Sequence, residues 1–318
     1  MVMDIEFTSL QNIIVILGLV FACYSVVAND SVQTLGTFIE SNQKVKWYYL
    51  YGYIAAIFLA TISYGYFAGD MSYGRLNKIP EQTIQWYHVL APLTLVILTR
   101  MGIPVSTSFL VLSVFASNIV LQKMFMKSAV GYALAATFAY FLWVGITYLF
   151  KDKKIKKADH LKWNVLQWIS TGWLWFTWLS HDIANITVFL PRNPNIYWAG
   201  FLVTLILVFL GVIFYERGGK IQQIITEKTD ISYIKAATII DLAYAFVLWF
   251  FKELNDIPMS TTWVFVGLLA GREFGINTIR KSKKIKNVFP MVARDFFKMT
   301  VGVTVSLILV FVINHFLK

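Results

Sequence analysis

Cysteine is almost absent: Cys23 is the only one in 318 residues. A single thiol excludes a fold stapled by internal disulfides. Four scattered histidines and that one cysteine offer no metal-ligand spacing, which excludes a zinc centre of the usual kind. Phosphate-cradling loops are missing too, because "FYERGGKIQQ" has glycines but no nucleotide-binding pattern. No nucleophile stands in pattern with a base, so an enzyme is not expected. Charge is scarce: Asp, Glu, Lys and Arg make up 14% of the chain, and acidic residues number 17 against 28 basic. The opening "MVMDIEFTSLQN" has no basic residue, so no cleaved signal peptide is expected there.

What is abundant is apolar sequence. The chain is 58% hydrophobic, with a mean hydropathy of +0.63. Several runs reach about 20 residues, the length that crosses a bilayer as a helix. Full spans are predicted near 9–28, 48–69, 128–150, 161–180, 195–215 and 299–317. Two further regions, 84–121 and 233–275, each read as two shorter apolar runs broken at "TRMGIPVSTS" and "KELNDIPMSTT". Proline lacks an N–H and restrains the residue before it, so a helix stops there and another begins. Each broken region is either a re-entrant hairpin or two complete spans.

The net charge of +11 admits two explanations, nucleic acid or a cytoplasmic membrane face. Placing the N-terminus outside, with hairpins returning to their own side, puts segments 40–47, 151–162, 216–235 and 276–298 inside. They hold 19 of the 28 basic residues; the outside segments hold six, Arg75, Lys78, Lys123, Lys127, Arg192 and Lys318. That asymmetry follows the positive-inside rule and removes any need for nucleic acid. The basic run "KDKKIKKADHLK" (151–162) is the natural midpoint, read as a solvated linker between a first unit, 1–150, and a second, 163–318.

The two units share an order of motifs. "VVANDSVQTLGTF" is followed by "GIPVSTSFLVLSVFAS", and "WLSHDIANITVF" by "DIPMSTTWVFVGLLAG". Asp30 precedes Ser106 by 76 residues, and Asp182 precedes Ser260 by 78. With the first unit starting outside and the second inside, the copies are inverted. Inverted repeats with broken helices are the signature of a secondary transporter.

After each break a half-helix begins, at Ser106-Thr107-Ser108 and at Ser260-Thr261-Thr262. Free N–H groups at helix starts bind anions, and two such ends face to face would cradle a small tetrahedral oxyanion. Either serine alone is an ordinary N-cap; recurrence at matched positions favours a shared site. Asp30 and Asp182 would repel such an anion unless sodium ions or protons stood between them. Gln33 and Asn185 each follow an acid by three residues, on the same helical face, where their amide oxygens would complete a sodium shell. His181 reads better as a structural histidine than as a proton carrier. Arg100, Lys252, Glu253 and Asp256 at the hairpin tips either gate an anion or pair among themselves.

On these residues the sequence resembles the inorganic phosphate transporter (Pit) family, which moves phosphate with sodium or protons. The resemblance rests on Asn29 and Asp30 in the first half, Asp182 and Asn185 in the second, and two hairpin motifs. Those motifs are Pro104, Ser106, Thr107, Ser108 and Pro258, Ser260, Thr261, Thr262. Gln33 and His181 stand where that pattern has Asn, and Phe109 and Trp263 where it has His. The resemblance implies an all-α polytopic membrane protein of two inverted-topology repeats, each with three transmembrane helices and a re-entrant hairpin. It implies substrate binding by the six Ser and Thr residues, and cation binding by Asn29, Asp30, Gln33, Asp182 and Asn185. It also implies no cofactor beyond co-transported sodium, a bacterial inner membrane as the setting, and relatives that form homodimers. Sulfate is the alternative oxyanion; a transport-inactive binding protein and a passive channel are the alternative activities.

Overall fold

The computed structural model describes residues 9–101, 105–150, 160–218, 234–280 and 285–317. Pro104, most of the 151–162 linker and the acidic start at Asp4 and Glu6 lie outside the described residues. Among the described residues every regular element is helical.

Helix α1 (Leu10–Val26) begins at Ser9, whose hydroxyl accepts from Asn12 N at 3.2 Å. That bond satisfies one of the free N–H groups every helix start carries. The helix does not end near residue 28 as the hydropathy predicts. It passes through a π-helical segment, Val27–Ser31, into α2 (Val32–Ser41), so Asp30 lies mid-helix. A π turn relaxes the regular hydrogen-bond ladder and is a frequent mark of a functional position.

After α3 (Trp47–Phe67) comes a long turn-rich loop, then a 3₁₀ turn, Trp86–Val89, and the short α4 (Leu90–Arg100). Its 11 residues reach only about 16 Å, half the hydrocarbon thickness. The chain then turns back through a π segment, Ser108–Leu112, to α5 (Asn118–Phe150). The first broken region is therefore a short hairpin, the first of the two alternatives the break allowed and the one the family resemblance implies. Helix α5 starts ten residues before its predicted span and draws Lys123 and Lys127 into the helix.

The chain resumes with α6 (His160–Asp182), which begins within the expected linker, then the single turn α7 (Ala184–Thr187) and α8 (Ile196–Tyr215). The second broken region is α9 (Ile234–Leu254) and α10 (Thr261–Arg280), each a full helix. Last is α11 (Ile285–Val312), which carries Pro290 and ends in a π segment.

Six helical stretches are long and apolar enough to cross a membrane: Leu10–Ser31, Trp47–Phe67, Asn118–Tyr148, Ile196–Tyr215, Ile234–Leu254 and Val292–Leu317. Helix α6 is not among them although it has 23 residues. Gln167, Ser170 and Thr171 give it a polar buried face, and that lowers its hydropathy. Large apolar side chains such as Phe67, Phe141, Tyr197 and Phe297 point outward, as lipid-facing positions do.

Helix α10 packs closely along α5. Gly267, Gly271 and Gly275, four residues apart, face the Tyr132, Ala136 and Tyr140 carbonyls, and a Cβ at Gly271 would overlap Ala136. Small residues at this spacing let two backbones approach where no hydrophobic force drives helices together.

Candidate functional site

The two acids singled out by the sequence meet in the interior. Asn29 ties the first to its hairpin: its Nδ2 donates to Asp30 Oδ1 at 2.7 Å, to the Val105 carbonyl at 2.9 Å and to Thr107 Oγ1 at 3.4 Å. Asn185 does the same for the second. Its Nδ2 donates to Asp182 Oδ1 at 2.9 Å and to Ser108 Oγ at 3.3 Å, while Ser108 Oγ donates to Asp182 at 3.3 Å. Thr262 Oγ1 donates to the Val105 carbonyl at 3.4 Å. Eight of the eleven predicted site residues are thus joined around the acids; Gln33 is buried one turn after Asp30 with neither side-chain polar atom bonded, and Ser106 and Ser260 open the two hydroxyl triplets.

The arrangement is reciprocal. Asp30 has the hydroxyls of Thr107 and Thr262 beside it, and Asp182 has those of Thr261 and Ser108. Each acid faces the second residue of its own hydroxyl triplet and the third residue of the other. The fourth positions, Phe109 and Trp263, touch each other with ring centroids 5.6 Å apart. Both rings also meet Phe125.

Ser106 and Ser260 act as N-caps. Ser106 Oγ accepts from Phe109 N and Ser260 Oγ from Trp263 N, each at 3.2 Å. Each hydroxyl keeps a proton to donate. Ser260 N itself donates to Ser128 Oγ at 2.8 Å, tying the second half-helix to α5.

Five buried side-chain oxygens here lack a hydrogen-bond partner: Asn29 Oδ1, Asp30 Oδ2, Gln33 Oε1, Asp182 Oδ2 and Asn185 Oδ1. Their residues are at most 5% exposed, and among the described residues no cation forms an ion pair with either acid. Buried polar atoms are normally satisfied, and the Gln33 amide nitrogen is unpartnered here as well. Hard oxygen donors, two of them anionic, suit a hard cation or a proton.

Sequence reasoning missed Asp241 on α9. It is fully buried, with Oδ1 accepting from Thr37 Oγ1 and Oδ2 from Thr171 Oγ1, both at 2.5 Å. Thr37 stands two turns beyond Asp30, about 10 Å along the same helix. Beyond it Gln167 joins Asn42 at 3.1 Å, the Thr37 carbonyl at 3.3 Å and Ser41. This polar column runs from the acid pair toward the end of α2. Beside the middle of α1 the packing is aromatic instead: Phe189 lies on Gly18 and packs against Phe115, which stacks on His88. Asp241 was legible as the lone acid in "IIDLAYAF", but it has no counterpart in the first unit, and the repeat guided the search.

The weaker candidates are locally engaged. His181 Nε2 meets the Leu248 carbonyl at 2.8 Å, as a structural histidine does. Arg100 lies over the Tyr24 ring at 5.5 Å, Lys252 pairs with Glu253 at 3.4 Å, and Asp256 accepts from Asn77 at 3.1 Å. In the loop after α3, burial pushes the Arg75 guanidinium down to about 10, against the opposing pull of Asp256, Asp182 and Glu253.

No protein-family profile matches the chain, and no curated protein matches it. A solved structure titled "The sodium-dependent phosphate transporter" does. It aligns with a TM-score of 0.57 at 16% identity, over 96% of this chain and 99% of that one. The two share a fold. The agreement covers nearly all of both chains, so the likeness extends to the whole architecture rather than to one helical bundle.

Proposed function

We propose that the chain is a secondary active transporter of inorganic phosphate, coupled to sodium ions or protons. The observation that carries this reading is the acid pair with its five free oxygens, set between two Ser/Thr half-helix starts. A carboxylate in a membrane span costs about 2.5–3.5 kcal/mol on insertion scales. Two of them side by side with no cation repel one another as well. A site that binds positive charge explains why they are tolerated.

Cations or protons held by Asp30, Asp182, Asn29, Gln33 and Asn185 would cancel the negative field. The half-helix starts at Ser106 and Ser260, with the hydroxyls of Thr107, Ser108, Thr261 and Thr262, would then accept an oxyanion. Coupling follows because the anion site is electrostatically sound only when the cations are in place. Phosphate is the preferred anion because the solved structure of like fold is titled as a phosphate transporter. We further read 1–150 and 163–318 as inverted repeats. The reciprocal contacts of the two acids and the Phe109–Trp263 contact support this, since corresponding residues on a two-fold axis must touch. Alternating access would come from one bundle moving against the other around this site. The basic-residue asymmetry supports both termini outside.

Uptake of labelled phosphate and sulfate into proteoliposomes, with and without a sodium or proton gradient, tests the reading. Gradient-driven phosphate accumulation is expected. Sulfate accumulation alone would replace the substrate, and downhill flux indifferent to either co-ion would indicate a channel. Binding without flux would leave a membrane receptor of the same fold.

A further inference from the structure

Two buried cations outside the acid pair converge on one short turn. Lys127, on α5, donates from Nζ to the Asn255 carbonyl at 3.1 Å, to Asn255 Oδ1 at 2.8 Å and to the Ile257 carbonyl at 2.8 Å. Arg75, from the loop after α3, donates from Nη1 to the same Asn255 carbonyl at 2.6 Å. Arg75 is 1% exposed and Lys127 8%, while Asn255 and Asp256 between them are exposed. The turn joins α9 to α10 and leads directly into Ser260-Thr261-Thr262.

The surrounding structure is built to deliver these cations. Asp70 organises the loop: its Oδ1 accepts from Ser72 N at 2.8 Å and Ser72 Oγ at 2.6 Å, and its Oδ2 from Gly74 N at 2.5 Å. Tyr73 and Gly74 both take positive φ, 53° and 81°, to aim Arg75 inward. A Cβ at Gly74 would stand 3.0 Å from Asp256 Oδ1. On α5 the residue after Lys127, Ser128, holds Ser260 N, so adjacent residues of one helix seat the turn and the half-helix start together.

Among the described residues neither cation forms an ion pair with a carboxylate. A buried charge bonded to carbonyls, with its carboxylates beyond ion-pair distance, is costly and is retained where its charge serves a function. Ammonium–carbonyl bonds can also be exchanged for bonds to an oxyanion, which is the stronger acceptor. We propose that Lys127 and Arg75 form a latch that holds the Asn255–Ile257 turn down over the second Ser-Thr-Thr start, closing that side of the site, and that an arriving oxyanion releases it. The proposal rests on the transport reading for the identity of the anion, but the latch itself does not.

Cys23 is buried, so a Cys23→Ala background leaves room for one reporter. Met259, 1% exposed beside the turn, is that position, as Met259→Cys in lipid nanodiscs labelled with a hydrophilic maleimide. Labelling should be slow in the parent and rise about tenfold in Lys127→Gln, the response of an equilibrium that loses a charge-assisted hydrogen bond. Lys127→Arg should restore protection in part. Asn255→Ala, which keeps both cations and the Asn255 carbonyl but removes the Oδ1 that accepts from Lys127 Nζ and from Ile257 N, should also speed labelling and covers the case in which Lys127→Gln does not fold. Inorganic phosphate should speed labelling of the parent and leave Lys127→Gln unchanged. Equal rates in parent, Lys127→Gln and Asn255→Ala would overturn the latch. Faster labelling in the variants with no response to phosphate in the parent would keep the latch, overturn release by this oxyanion and count against phosphate as substrate.

Discussion

Asp30→Asn separates charge from shape. The introduced amide oxygen can still accept from Asn29 Nδ2, the bond now at 2.7 Å, so local geometry should survive. What changes is the unpartnered Oδ2, which becomes an NH₂ group that repels a cation. A unit charge at 4 Å in an effective dielectric of 20 contributes about 4 kcal/mol. Relief of repulsion from Asp182 offsets part of that, leaving roughly 2–3 kcal/mol, or about 30- to 150-fold weaker cation binding. Stability should move the other way. Without cations the parent holds a bare carboxylate worth about 2.5–3.5 kcal/mol of insertion penalty, so the cation-free variant should melt no lower than the parent. The assay is phosphate uptake into proteoliposomes across a series of sodium concentrations and pH values, with thermal unfolding in detergent measured on the same preparations. Uptake with the parent's sodium and proton dependence would refute the assignment of Asp30 to the cation site. A variant markedly less stable than the parent in cation-free buffer would show that the carboxylate is structural instead.

Three further outcomes follow from the contacts. Ser260→Ala removes an N-cap and should lower thermal stability by about 1 kcal/mol, and a loss of phosphate affinity beyond the fraction unfolded would assign the hydroxyl to the anion as well. Asp241→Leu leaves the Thr37 and Thr171 hydroxyls without their acceptor and should destabilise by about 1–3 kcal/mol; Asp241→Asn keeps an acceptor, should stay folded, and should change the sodium or pH dependence of uptake if the polar column carries the co-ion. Gly271→Val drives a side chain into the α5 backbone and should lower the midpoint of thermal unfolding by the equivalent of about 1–3 kcal/mol or more, whereas Gly200→Val, which has open space around it, should leave it nearly unchanged.

Much of the fold was legible because hydropathy and proline report on it directly. The short first hairpin followed from the break before Ser106. The junction at Asp30 was not, because a π turn has no composition signal: "VVANDSVQ" reads equally as a helix end. The start of α5 was misplaced by ten residues since Lys123 and Lys127 look like loop residues until their partners are known. Lys127 is tolerated in the helix only because Asn255 and Ile257, far along the chain, satisfy its ammonium. The acid pair was legible because buried charge in an apolar run is expensive and both acids recur with hydroxyl triplets. Asp241 was passed over because a search for paired motifs is blind to a feature that exists once. Its role depends on Thr37 and Thr171, which no local pattern connects to it.

The ring contact between Phe109 and Trp263 has a mechanical corollary. Where two halves trade conformations, most contacts between them are made in one state and broken in the other. A contact between a residue and its own counterpart is mapped onto itself by the trade, so it survives the full cycle. On the proposed inverted-repeat transport cycle the Phe109–Trp263 pair is a pivot, and tethering those two positions covalently should leave turnover intact while a tether elsewhere along the hairpins stops it.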